Sequence, residues 1–436
     1  MVSRRVVMQS GVVAALLGIP ACARDTGSAP AGAELVRADV PRAATSVDAA
    51  GAAAPAVRWF TADLVRRLGP AAPNLVCSPL SVAIALAMAR TGARGRTGTE
   101  IDRVLHLRGV DDGNAGFNAL TQHLVGRAGT RANGSGGKAQ VELRVANALW
   151  GQRGIAWKES FLDVLARFYG TGLYTADFVH DRAAAAKAAN AWVSRQTDGR
   201  IPSVLHKQTL TEFTRLVLVN ALYLKAPWSS AFDRDHSRPA PFHRADGSVV
   251  AAPTMRAEQT LTYRETADWQ AVDLPYAGSQ LAMTLVLPRT GTLSRLEQRL
   301  DGPGLTRMLT SPPPRSRTVD LALPRWSART AVSLRDTLTA MGMQTAFSDT
   351  AADLTGMTTD QSLSIDAVEH RGWIAVDEEG TEAAAATAVI ASGTAAAVAD
   401  PVTLRFDRPY LFAVQDLATG CPLFVGHVTD PTTTPA

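Results

Sequence analysis

Val376-Asp377-Glu378-Glu379-Gly380-Thr381-Glu382-Ala383-Ala384-Ala385-Ala386-Thr387-Ala388-Val389-Ile390-Ala391-Ser392-Gly393-Thr394-Ala395-Ala396-Ala397-Val398-Ala399 decides how the chain is read. An acidic run and a glycine lead into small, mostly uncharged residues, and no lysine or arginine follows until Arg405. Alanine is the best helix former while Val389, Ile390 and the threonines favour strand, so the segment suits two states. As a strand from Thr381, one face carries Thr381, Ala383, Ala385, Thr387, Val389 and Ala391, small and uncharged throughout. The other carries Glu382, Ala384, Ala386, Ala388, Ile390 and Ser392. The first face fits between two strands without overpacking, and Gly380 can absorb the rotation that folding the loop over requires. A loop that becomes a strand is a known switching device.

The flanking sequence supplies strands and helices for such a sheet. Residues 74–93 read as a short strand running into a helix, with Ser78 able to cap it and Pro79 in the favoured first position. That helix is apolar almost all round and is therefore buried. Residues 216–228, Leu-Val-Leu-Val-Asn-Ala-Leu-Tyr-Leu-Lys-Ala-Pro-Trp, form a near-continuous apolar strand, hence an interior one. Helical spacing recurs over 97–107, 161–169, 184–196 and 334–341, and strand signals over 141–150, 281–288 and 319–324.

The hinge-like run from Glu378 to Ala386 resembles that of the inhibitory serpins, serine protease inhibitors whose reactive-centre loop inserts into the main sheet after cleavage. Residues 74–93 resemble the family's central helix, and 216–228 its central strand, with Asn220 and Trp228 at matching positions. Residues 347–356, 405–414 and 422–431 resemble the family's turn, last hairpin and C-terminal signature. The resemblance runs from about residue 57 to residue 431 and implies an α+β serpin fold. Helices would surround a large mixed main sheet with two smaller sheets, in one domain over 56–436, with an exposed loop at about 378–402.

It further implies roles for single residues. Glu378, Gly380, Thr381, Glu382, Ala383, Ala384, Ala385 and Ala386 fall on the hinge, and Trp228 on the breach where the loop enters. Ser78, Ser81, Asn220 and His370 fall on the shutter, a polar cluster beneath the sheet whose members must satisfy one another. Hinge spacing puts the reactive bond between Thr394 and Ala395. The span from Gly380 to Pro409 is a few residues longer than usual, so Ile390, Ala397 and Val398 stay open. All are small or aliphatic, which suits a shallow apolar pocket of the elastase or subtilisin kind rather than a deep acidic one. The implied partner is a serine protease held as a covalent acyl complex, and the implied state is a monomer without cofactor or metal. The alternative is a non-inhibitory binding protein of the same fold, displayed on a cell surface.

Other chemistries find little support. Ser78 lacks the flanking glycines of a Gly-x-Ser-x-Gly nucleophile turn, and no His-Glu-x-x-His, Cys-x-x-Cys, P-loop or Gly-x-Gly-x-x-Gly occurs, so an enzyme is not expected. The chain has a net charge of +4, with 39 arginines to 5 lysines and no basic run interleaved with aromatics, which argues against nucleic acid.

Arg4 and Arg5, an apolar run from residue 6 to 17, and Ile19-Pro20-Ala21-Cys22 have the three regions of an export signal. The end of that signal resembles a bacterial lipobox, in which Cys22 is lipidated. Pro20 departs from the small residue usual there, so ordinary cleavage stays open. The expected address is extracellular or cell-surface. Residues 23–55, rich in Ala, Gly, Pro, Ser and Thr, read as a flexible tether. Cys77 and Cys421 are too few for a disulfide framework, and free thiols and a single bridge both remain open.

Overall fold

The computed structural model describes residues 29–69, 74–206, 209–289, 292–310, 315–382 and 400–433. The export signal, Cys22, Ala383 to Ala386, and Thr394 and Ala395 lie outside the described residues.

The apolar run expected to be interior is the middle of an eight-stranded main sheet. Its strand Leu216–Pro227 pairs antiparallel with Lys138–Gln152 along nearly its whole length and is buried at ten of its twelve positions. Outward from Lys138–Gln152 come Leu173–Ala176 and then Ala33–Val36. On the other side lie Gly380–Thr381, Ala367–Val376 and Trp326–Ser333. The nine-stranded second sheet is threaded by the 17-residue strand Val249–Glu265. Its start pairs with Arg238–His243, its middle with Arg315–Pro324 and its end with Trp269–Pro275. The two smaller sheets expected from the family thus run into one another through this strand.

Ser78 caps the helix Pro79–Gly92, accepting from Ser81 N at 3.3 Å. Thirteen of its fourteen residues are buried, as a helix packed between sheets requires.

The tether expected over residues 23–55 is corrected from residue 29 onward. Ala33–Val36 is an edge strand of the main sheet, in antiparallel register with Leu173–Ala176. Beyond it, Ala43 N donates to Arg167 O at 2.7 Å, and Ser46 caps a helix that runs Val47–Leu68. Its second half was legible from the helical spacing of Trp59, Phe60, Leu64, Val65 and Leu68, but alanine hid the first half. Ala50 and Ala54 extend the stripe of Val57, Leu64 and Leu68 by one helical period each, but a methyl group barely registers as hydrophobic pattern. Pro55 does not break it, because the carbonyl left without a donor belongs to exposed Gly51.

Candidate functional site

Among the described residues, the strands Leu216–Pro227 and Ala367–Val376 are parallel neighbours held together only at their two ends. At the bottom they pair directly, Ala367 to His370 against Val217 to Asn220. At the top the two-residue strand Gly380–Thr381 lies between them, Thr381 opposite Ala226 on one side and Val376 on the other. In between, residues 221–225 and 371–374 have no ladder partner on their facing sides among the described residues. The sheet therefore contains a slot, and the stretch quoted at the outset begins inside it.

The top is crowded with directed bonds. Gly380 has φ +154°, and a Cβ there would stand 2.3 Å from Ala226 O and 2.7 Å from Pro227 Cα, so only glycine fits. Trp228 donates its backbone N–H to Glu379 O at 2.8 Å and its Nε1–H to Asp377 O at 2.9 Å. Its ring stacks on Tyr276, centroids 4.7 Å apart, and the Tyr276 hydroxyl meets Thr381 Oγ1 at 2.6 Å. Glu378, 1% exposed, accepts from Ser237 Oγ and Arg325 Nε, both at 2.6 Å. Burial pushes its carboxyl up, but Ser237 and Arg325 more than offset this and hold it below the ordinary range. Arg234 pairs with Glu379 at 2.5 Å. Glu382 then departs from strand geometry with φ +53°, its carboxylate bound by Arg200 and its pKa raised by burial against that pull.

The bottom is neutral. The Ser78 backbone N–H donates to His370 Nε2 at 3.1 Å, which leaves the imidazole proton on Nδ1, facing Asn220 Oδ1 at 2.5 Å. Asn220 Nδ2 donates to Glu369 O at 3.3 Å, and Ser81 Oγ lies 2.8 Å from the side-chain amide of Asn147. His370, Asn220, Ser78 and Ser81 are all fully buried. Burial, and secondarily Arg371, pushes the His370 pKa down to about 3, so the ring is neutral.

A family model described as Serpin (serine protease inhibitor) matches residues 55–431. The chain is a serpin. An uncharacterized serpin-like protein of Thermococcus kodakarensis is 38% identical, over 86% of this chain and 85% of the relative. The human leukocyte elastase inhibitor is 31% identical, over 85% of this chain and 97% of the relative. Among solved structures, the thermophilic serpin tengpin in its native state aligns with a TM-score of 0.78 at 24% identity, over 91% of this chain and 97% of that one. The family model describes an inhibitor rather than an enzyme, and the relatives that carry an activity in their names are named as inhibitors.

The serpin structure brings Ser78, Ser81, Asn220 and His370 into one cluster at the foot of the slot, and Trp228, Glu378, Gly380 and Thr381 into another at its mouth. Sequence reading missed Asn147, the polar residue within the apolar half-strand from Val145 to Trp150 and a signal in itself, which faces Asn220 in register. It also missed Tyr276, Arg200, Arg234, Arg325 and Ser237, which carry no local mark of their role. Cys77 and Cys421 are buried free thiols, that of Cys77 pushed up to about 12 by burial. Among the described residues, no group of three or more His, Cys, Asp or Glu could hold a metal ion.

Proposed function

We propose that this serpin inhibits serine proteases as a suicide substrate. The slot carries this reading: among the described residues it is unpaired between two closed ends and already entered by the hinge. Attack on the loop forms an acyl-enzyme, with the serine oxygen bonded to the carbonyl of the residue before the cut and the new amine leaving. Before water frees the protease, the segment from Gly380 to about Ser392 zips down the slot. Continuing the present register places Ala383 between Leu224 and Ile374, and Ala385 between Leu222 and Gly372, on the buried face. Thr387 then arrives between Asn220 and His370, so the bottom bond must open to admit it. The ladder gained along the slot supplies the driving energy that the uncleaved form stores.

The reactive bond is Thr394–Ala395 in this reading, the targets are elastase-like or subtilisin-like proteases, and the inhibitor acts as a monomer. A human relative's name, leukocyte elastase inhibitor, points the same way. The test substitutes Ala383, the next inward-face residue, which has still to enter and which continued register would set between Leu224 and Ile374. Ala383→Asp forces a buried unpaired charge onto insertion. It is expected to turn inhibitor into substrate, raising the stoichiometry of inhibition severalfold and abolishing the complex that survives denaturation. Unchanged stoichiometry would rule insertion out. If cleavage within 390–399 leaves the melting temperature where it was, the chain is a non-inhibitory binding protein instead.

For its address we propose export and lipidation at Cys22. Residue 29 already packs on the domain, so only about seven residues, roughly 25 Å extended, would separate a lipid from the fold. Lipid label should enter the unsubstituted chain and be absent from Cys22→Ala; secretion of both without label would refute the anchor.

A further inference from the structure

Glu382 is the last described residue of the hinge, and its surroundings are unlike those of the hinge glutamates before it. Its backbone is left-handed, which glutamate rarely adopts, and its side chain is 7% exposed. Its N–H already donates to Ala375 O at 3.2 Å, as an inserted residue's would. Its carboxylate, however, is held by Arg200, which belongs to the loop after the helix Arg182–Gln196 and also lies over the Trp373 ring at 5.2 Å. Arg200 thus ties the exit of the slot to a loop on the sheet's outer face.

The register shows what happens one step later. Thr381 pairs with Ala226, so an extended Glu382 stands opposite Lys225. On its other flank, Lys225 is opposite Glu142, and its Nζ is a loose 3.9 Å from Glu142 Oε1. Straightening Glu382 would complete a row across the sheet, Glu142, Lys225, Glu382, of alternating charge on one face. Opposite charges placed directly across a ladder stabilise it.

We infer that Glu382 exchanges ion-pair partners as the loop enters the sheet, leaving Arg200 outside for Lys225 inside. Arg200 and Lys225 are then positioning residues of opposite effect: the first holds the loop out, the second draws it in. This rests on the insertion reading above and adds to it the step at which the zipper starts.

The experiment mixes the full-length protein with a saturating broad-specificity bacterial protease and follows intrinsic tryptophan fluorescence. Trp373 reports directly, because continued register brings Ala384 between it and Tyr223. Arg200→Ala is expected to insert faster and Lys225→Met slower, each by roughly two- to fivefold, the range of one cross-strand charge pair. In a Glu382→Gln background both effects should vanish, which a merely structural role for either side chain would not produce. Unchanged rates, shifts in the same direction, or effects that persist with Glu382→Gln would overturn the exchange. The melting temperature of the cleaved product separates this failure from the larger one. A rise with indifferent rates removes only the partner exchange, whereas no rise in the unsubstituted protein removes insertion itself and the exchange with it.

Discussion

The two ends of the slot close it by opposite chemistry. At the mouth, buried hinge groups meet half-exposed arginines: Glu378 is 1% exposed while Arg325 is 43%, and Glu379 is 10% exposed while Arg234 is 63%. At the foot the closing bonds themselves are neutral: a histidine, an asparagine and a backbone amide satisfy one another out of reach of water, beside the paired charges of Arg371 and Glu369. A charged, partly wet closure responds to salt and can be released from outside. A neutral, dry one opens only when something takes its place, which is the part that the proposed insertion gives to Thr387. In this reading the mouth decides when the loop starts and the foot decides how far it goes.

The largest effect should come from destroying the mouth sterically. Gly380→Val puts a branched side chain at φ +154° and drives its Cβ into the Ala226 carbonyl. Strain and overpacking together are worth roughly 2–6 kcal/mol. The melting temperature should fall, and amide protons of residues 380–382 should exchange rapidly, while those of 367–370 at the foot stay protected. If the whole sheet exchanges together, the two closures are not independent and the comparison fails.

The foot is best probed with pH. Unfolded, the His370 imidazole takes its proton near the ordinary 6.5, whereas folded it stays neutral down to about pH 3. Its folded pKa is depressed, so the stability it contributes is fully present above 6.5 and is lost as pH falls from there toward 3. Each unit in that window is worth about 1.4 kcal/mol. Glu378 also has a depressed value, but its share is lost only below its ordinary 4.5, so between pH 6.5 and 5 the foot weakens before the mouth. Asp273 in the second sheet, pushed up to about 6 by burial despite Arg264, runs the other way and gains as pH drops below 6. Comparison with His370→Gln removes that background. The unsubstituted protein should lose about 1.3 kcal/mol more than the variant between pH 7 and 5.5 in denaturant titrations. Equal losses would mean that the imidazole is not held neutral.

These contrasts bear on what could be read from the chain alone. Gly380 and Thr381 were legible because their chemistry is local, a glycine before small residues being conspicuous without its partners, whereas His370, between Glu369 and Arg371, was placed only by the family resemblance. Arg200, 182 residues before Glu382, and Tyr276, 105 residues before Thr381, look like ordinary surface and core residues until the fold sets them opposite the hinge. The edge strand Ala33–Val36 escaped for a different reason. Four residues have too little periodicity to separate from linker, and the pairing edge at Leu173–Ala176 that organises them is 140 positions away. The first half of the helix from Val47 was masked by alanines, whose burial is visible only once neighbours surround them.

The smallest effects should come from the two arginines at the mouth, and their difference tests whether burial, rather than the count of ion pairs, sets the strength of that closure. Arg325→Ala strands a carboxylate that is almost fully buried, leaving Ser237 as the remaining side-chain partner of Glu378 among the described residues. An uncompensated buried acceptor costs about 1–3 kcal/mol. Arg234→Ala releases the more open Glu379, whose backbone carbonyl keeps its bond from Trp228. A pair whose cation is 63% exposed is reached by salt and contributes about 0.2–1 kcal/mol. Arg325→Ala should therefore lower stability at least twice as far as Arg234→Ala in dilute buffer. Raising sodium chloride to about 1 M, where the screening length is near 3 Å, should erase the Arg234 difference while leaving most of the Arg325 difference in place. If both fade together, the mouth is an ordinary surface cluster, and the distinction between a wet end and a dry end of the slot is only one of degree.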